Sequence, residues 1–192
     1  MLLWVAAAVV LAAVIAIGLA DRGSVQPGSS PDEGVRSPAE DQRSTAGVPD
    51  PIRANLRDAN RIVDGSLQDR LASLGGVPVV VNQWASWCGP CRAEFPFFQS
   101  LAGRYRERVA FLGLNSRDER AAAERFLAEF PVPYPSVSDD DAAKARSVGA
   151  GTSWPTTIFY DADGDVRFVR IGGYADARAL DADIRAHALR SG

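Results

Sequence analysis

Val77-Pro78-Val79-Val80-Val81-Asn82-Gln83-Trp84-Ala85-Ser86-Trp87-Cys88-Gly89-Pro90-Cys91-Arg92-Ala93-Glu94 is the stretch that decides the fold. From Val77 to Trp84 it is β-rich and nearly continuous in apolar residues, the pattern of a buried central strand. From Cys88 to Arg108 it reads as a helix with Phe98, Leu101, Ala102 and Tyr105 on one face; Pro96 lies inside and is expected to kink it. The chain has two cysteines, and both stand at this junction with C-x-x-C spacing. A Cys88 thiolate at the start of a helix faces free N–H groups and the positive end of the dipole. That lowers its pKa and makes it a nucleophile near neutral pH. Cys91, one turn later on the same face, is in reach to close a disulfide. Gly89 and Pro90 allow the tight turn between them and support the first helical turn. Reversible dithiol–disulfide exchange is the chemistry this spacing provides.

Other readings of the pair are weaker. Half a zinc site would need a second pair, and the only histidine, His187, lies far along the chain. A purely structural disulfide would close a very short loop and remove little chain entropy. A Cys–His nucleophile would have to use His187, which fits better in a terminal helix. No metal and no cofactor is expected.

Outward from this stretch, the chain has 192 residues and 46% hydrophobic content, enough for one domain with appendages. Its net charge of −3 gives no reason to expect nucleic acid. Residues 1–20 contain an unbroken uncharged run from Leu2 to Ala20. As a helix it would span about 30 Å, the thickness of a bilayer core. Its length favours an uncleaved membrane anchor over a secretory signal cleaved after Gly18-Leu19-Ala20. The charges run against this: no Lys or Arg precedes the run, while Arg22 follows it.

Residues 21–50 read as a flexible linker rich in Pro, Gly, Ser and charge. They carry six acids (Asp21, Asp32, Glu33, Glu40, Asp41, Asp50) and three bases (Arg22, Arg36, Arg43), which accounts for the whole net charge of −3. Residues 51–192 are expected to be the globular domain. Ile52, Leu56, Ala59 and Val63 are spaced as one helix, and Leu67, Leu71 and Leu74 as a second, ended by Gly75-Gly76. Val109 to Asn115 is the next strand. Ser116 to Glu119 fits a capping box ahead of a helix carrying Ala122, Phe126 and Phe130. A short strand at Ser136 to Ser138 and a short helix from Asp140 to Val148 follow. Thr157 to Tyr160 and Val166 to Ile171 flank Asp161-Ala162-Asp163-Gly164, a hairpin turn. Asp176 to Leu189 closes the chain as a helix. Alternating strands and helices with a final hairpin predict an α/β domain with a central mixed sheet flanked by helices.

With Val81-Asn82-Gln83-Trp84-Ala85-Ser86-Trp87-Cys88-Gly89-Pro90-Cys91, Trp154-Pro155-Thr156-Thr157, and the closing hairpin and helix, the chain resembles the thioredoxin superfamily. Within it, the sequence is similar to the TlpA/ResA-like branch of membrane-anchored extracytoplasmic thiol–disulfide oxidoreductases. The hydrophobic N-terminus with its linker, the run Cys91-Arg92-Ala93-Glu94-Phe95-Pro96, and the extra helix and strand between Asp118 and Ser138 carry that likeness.

The resemblance implies roles. Cys88 would attack and Cys91 would resolve. Pro155 would be a cis-proline lying against the disulfide. Trp87, Gly89, Pro90 and Trp154 would form the substrate-facing surface, although Trp154 is larger than that position usually carries and suits a lid as well as a contact. Glu94 would take up a proton during exchange, because Asn82 stands where cytosolic thioredoxin has its buried acid; a plain surface glutamate is the alternative. Phe95, Phe97 and Phe98 are expected in the core. Spacing excludes two relatives. Val81 and Ala85 stand where peroxiredoxins need proline and Thr or Ser, and the C-x-x-x-C of copper carriers is absent. The implied activity is reduction of disulfides in exported proteins, with cytochrome c maturation as one setting and a polytopic membrane protein returning electrons. The opposite direction, oxidation of exported thiols, and a non-catalytic binding module with a structural disulfide remain the alternatives.

Overall fold

The computed structural model describes residues 47–150 and 153–189. The anchor or signal reading of residues 1–20, and nearly all of the linker, therefore lie outside the described residues. Among the described residues no helix is long and apolar enough to cross a membrane.

In chain order the elements are α1 (Asp50–Leu56), β1 (Ile62–Val63), α2 (Leu67–Ser73), β2 (Val79–Trp84), α3 (Gly89–Tyr105), β3 (Ala110–Ser116), α4 (Arg120–Glu129), β4 (Ser136–Asp139), α5 (Ala143–Ser147), β5 (Thr156–Tyr160), β6 (Val166–Ile171) and α6 (Ala177–Asp183). A wider helical turn, Ile184–Ala188, continues α6. The strands form one six-stranded mixed sheet in the order β1-β4-β3-β2-β5-β6. β1, β4, β3 and β2 run parallel to their neighbours, and β5 and β6 are added antiparallel.

β2 is buried along its whole length, as its continuous apolar run requires. Its side chains alternate between the two cores of the molecule. Val79 and Val81 join Leu112, Leu114 and Ile158 on the face covered by α1, α2 and α5. Val80 and Trp84 join Phe95, Phe98, Phe126 and Leu180 on the face covered by α3, α4 and α6. Trp84 lies 5.1 Å from Phe95 and 5.0 Å from Phe126 between ring centres, and Phe95 meets Phe126 edge-on at 4.7 Å. Each such pair contributes roughly 0.5–1.5 kcal/mol beyond the area it buries. This aromatic knot fixes the head of α3 against the end of β2.

Three expectations are corrected. The helix expected from Ile52 to Val63 stops at Leu56, and Ile62–Val63 is instead an edge strand paired with Ser136–Val137. Asn60 takes a left-handed conformation (φ +61°) between them, and its side chain donates to the Leu127 carbonyl and accepts from the Val132 N–H. Asparagine is one of the few residues that accepts this backbone at low cost. The capping box does not form: Ser116 is the last residue of β3 and donates to Asp139, and α4 starts after Glu119 with no side-chain cap. The short helix expected from Asp140 begins later, at Ala143, because the buried Asp139 carboxylate accepts from the Lys144 and Ala145 N–H groups and so fixes the first turn. α3 runs through Pro96 as a single element, with Pro96 on its exposed side.

Candidate active site

The end of β2 and the start of α3 bring the two cysteines together as a disulfide, with Cα atoms 5.3 Å apart. Cys88 is the N-cap of α3, and its Sγ accepts from the Cys91 N–H at 3.2 Å. Gly89 and Pro90 are the first two helical residues; proline suits this place because its missing N–H would have no helical partner there. Cys91 is fully buried and Cys88 nearly so, while Gly89 and Pro90 are exposed. Attack from outside therefore reaches Cys88 first.

Trp87 stands 58% exposed beside the disulfide. Its Nε1 donates to the Arg117 carbonyl at 2.8 Å, and its ring lies 5.4 Å from that of Trp154. The Trp154–Pro155 bond is cis, and Trp154 is half-buried with its Nε1 buried and unpaired. The structure thus brings together the residues expected to form the site: Cys88, Gly89, Pro90, Cys91, Trp87, Trp154, Pro155 and Glu94.

Glu94 is 0% exposed, not a surface glutamate. It lies one helical turn beyond Cys91. Its Oε1 accepts from Asn82 Nδ2 at 2.9 Å, and its Oε2 accepts from the Tyr174 N–H at 3.1 Å. Burial pushes its pKa up to about 7; the two hydrogen bonds and the Arg170 charge oppose that rise without cancelling it. A carboxylic acid with its midpoint near neutral pH can both give and take a proton. A Cβ added to Gly173 would lie 3.5 Å from Glu94 Oε2, 3.5 Å from Pro155 Cγ and 3.9 Å from Pro90 Cβ. The backbone after β6 is therefore packed directly between the acid, the cis-proline and the head of α3.

Sequence reasoning missed two sets of residues. One is Gly173 and Tyr174, which meet Glu94 from far along the chain and carry no local signal. The other is Asp118. Its carboxylate accepts from the Ser86 N–H at 2.5 Å, the Ser86 hydroxyl at 2.7 Å, Asn115 Nδ2 at 2.9 Å and the Glu119 N–H at 3.0 Å. Through Ser86 it fixes the loop that presents Trp87. The misread capping box was the signal: the acid in it serves the loop after β2 instead of the helix that follows. Phe95 and Phe98 are core residues and Phe97 packs partly against that core. His187 stacks on Phe168 at 4.2 Å, far from this chemistry in role.

A model of the Redoxin family matches residues 57–184. Among similar proteins, the thiol:disulfide interchange protein DsbE of Pseudomonas fluorescens biotype C is 39% identical over 102 residues, 53% of this chain and 55% of that protein. The thiol-disulfide oxidoreductase ResA of Oceanobacillus iheyensis is 30% identical over 112 residues, 58% of this chain and 57% of that protein. The chain thus spans rather more than half the length of these relatives. Among solved structures, a DsbF homologue from Corynebacterium diphtheriae superposes with a TM-score of 0.56 at 28% identity, over 60% of this chain and 75% of that one.

Proposed function

This chain belongs to the Redoxin family, and on that premise we propose that it is a thiol–disulfide oxidoreductase whose Cys88–Cys91 pair exchanges with disulfides of exported proteins, chiefly as a reductant. The observation that carries this reading is the disulfide at the head of α3 with a buried acid, Glu94, one turn behind it. In the reduced protein the Cys88 thiolate attacks one sulfur of a substrate disulfide, and the other substrate sulfur leaves as a thiolate. The mixed disulfide is resolved when Cys91 gives its proton to Glu94 and attacks Cys88 Sγ. The second substrate sulfur then leaves. Two electrons pass from the dithiol to the substrate, the two departing substrate thiolates take up protons from Glu94 and from water, and the protein returns to its disulfide. Trp87 and Trp154 form the aromatic surface that the substrate meets, with Gly89, Pro90 and Pro155 completing it.

Further parts of the proposal come from the resemblance to the TlpA/ResA-like branch and from the N-terminal sequence. The domain works outside the cytoplasm, tethered by residues 1–20. A polytopic membrane protein re-reduces it, and apocytochrome c is one substrate of the class. The test is an insulin-reduction assay with wild type and Cys88→Ser. Turnover by wild type and none by the variant is expected. Equal, negligible turnover by both would leave a binding module with a structural disulfide. Equilibration with a glutathione or dithiothreitol series reads the direction. A potential near about −270 mV or below fits a reductant, and one near about −120 mV would mean an oxidant.

A further inference from the structure

Behind the loop that follows β6, two side chains meet on one carboxylate. Arg170 Nη1 donates to Asp183 Oδ2 at 3.1 Å, and the Tyr174 hydroxyl donates to the same oxygen at 3.0 Å. The Arg170 guanidinium lies 4.5 Å from the centre of the Tyr174 ring, and Phe98 meets that ring edge-on at 6.1 Å. Tyr174 is therefore held at its hydroxyl and against its ring. The two residues before it cannot hold themselves, because both are glycines, and Gly172 is left-handed at φ +98°. What the pinned side chain delivers is its own peptide N–H, 3.1 Å from Glu94 Oε2. The Gly172 N–H is tied to the Pro155 carbonyl at 2.9 Å, so the same segment also abuts the cis-proline.

We propose that Arg170, Tyr174 and Asp183 form a clamp that seats the Tyr174 N–H on Glu94 and so sets how firmly Glu94 holds its proton during exchange. The clamp rests on the reading of Glu94 as the proton carrier. Its members are positioning residues, since none touches the disulfide. Arg170 acts twice, by bracing the ring and by placing a positive charge that favours the Glu94 carboxylate. Asp183 offsets part of that charge. The other groups that act on Glu94 are Asn82 from β2 and Tyr134 from the segment before β4, while the disulfide-bonded Cys91 lies one turn earlier on α3 and Cys88 at its N-cap. Tyr134 and Tyr174 stay neutral because burial raises both phenols. Asn82 does not titrate, and the cysteines do not titrate while oxidised.

The test is a carboxyl-carbon NMR titration of Glu94 in the oxidised full-length protein, which reads its proton without any turnover. Tyr174→Phe removes the hydroxyl anchor and keeps the ring. Arg170→Gln removes the charge and the brace. Both changes weaken what stabilises the carboxylate, so each should move the Glu94 midpoint upward, on the order of half a pH unit. Lowered melting temperatures with an unmoved midpoint in both variants would overturn the clamp, leaving the three residues as packing only. A Glu94→Gln protein with an unchanged pH profile of exchange would sink the proton-carrier reading instead. The two failures are thus told apart by titration and by turnover.

Discussion

At neutral pH Glu94 is poised between its two forms, and this has a cost that pH can reveal. Its pKa is about 7 in the folded protein and near 4.5 unfolded. Below the unfolded value both states carry the proton, and the folded state has its full stability. Between about pH 4.5 and pH 7 the unfolded chain ionises while the buried acid keeps its proton, so stability falls across that window by about 3 kcal/mol and levels off above it. Glu94→Gln should abolish that fall, leaving the oxidised variant more stable than wild type at pH 8 and equal to it near pH 4. The exchange is sterically mild, because Asn82 can turn its unpaired Oδ1 toward the new amide. Denaturant melts across pH check this; parallel curves for both proteins would mean that Glu94 is solvated. Asp118 lends itself to the opposite experiment. Its carboxylate accepts from four donors, and an amide would present N–H groups to some of them. Asp118→Asn should cost about 1–3 kcal/mol and should also lower exchange efficiency, since Ser86 holds the loop bearing Trp87. Full stability in a melt would show that these bonds are replaced by water.

At the scale of elements, β3 passes so close to its neighbours that one position admits no side chain. The Trp84 Nε1–H donates to the Ser136 hydroxyl at 3.1 Å across Gly113. A Cβ on Gly113 would lie 2.0 Å from Ser136 Oγ and 2.8 Å from Trp84 Nε1. Gly113→Ala must push apart β2, β3 and β4 or break that hydrogen bond, and is expected to cost about 2–4 kcal/mol in a denaturant melt. A loss under half of that would mean the sheet relaxes freely. The elements that could be read in sequence are those whose signal is local. β2 is an apolar run, α3 begins at a Cys-Gly-Pro-Cys, and the hairpin turn between β5 and β6 carries Gly164 at φ +88°. β1 was illegible because Ile62 and Val63 continue the helical spacing of Ile52, Leu56 and Ala59. What turns the chain from that helix into β1 is Asn60, whose partners at residues 127 and 132 are remote in sequence. The false capping box failed for the same reason: the donors to Asp118 include Ser86, on a different strand-to-helix loop.

For the whole molecule, the direction of electron flow depends on which redox state the fold stabilises, and here local and remote residues pull in opposite senses. The local part was legible: Cys88 at the N-cap, with the Cys91 N–H aimed at its sulfur, stabilises a thiolate and hence the reduced form. Stabilising the dithiol makes a pair more oxidising. The remote part was not legible, because the depth of Glu94 and its bond to Tyr174 arise only when the segment after β6 closes over α3. Above about pH 7 that buried acid is a second negative charge beside the thiols. In a region of low dielectric it disfavours the thiolate and lowers the potential, toward the reductant we propose. Glu94→Gln should therefore raise the reduction potential at pH 8, on the order of 30 mV, which corresponds to about 1.4 kcal/mol for a two-electron couple. Near pH 5.5, where wild-type Glu94 already carries its proton, the two proteins should agree. Equilibration with glutathione at both pH values decides the matter. A rise confined to pH 8 ties the direction of the reaction to the closing segment, whereas equal potentials at both leave the Cys-Gly-Pro-Cys turn as its sole determinant.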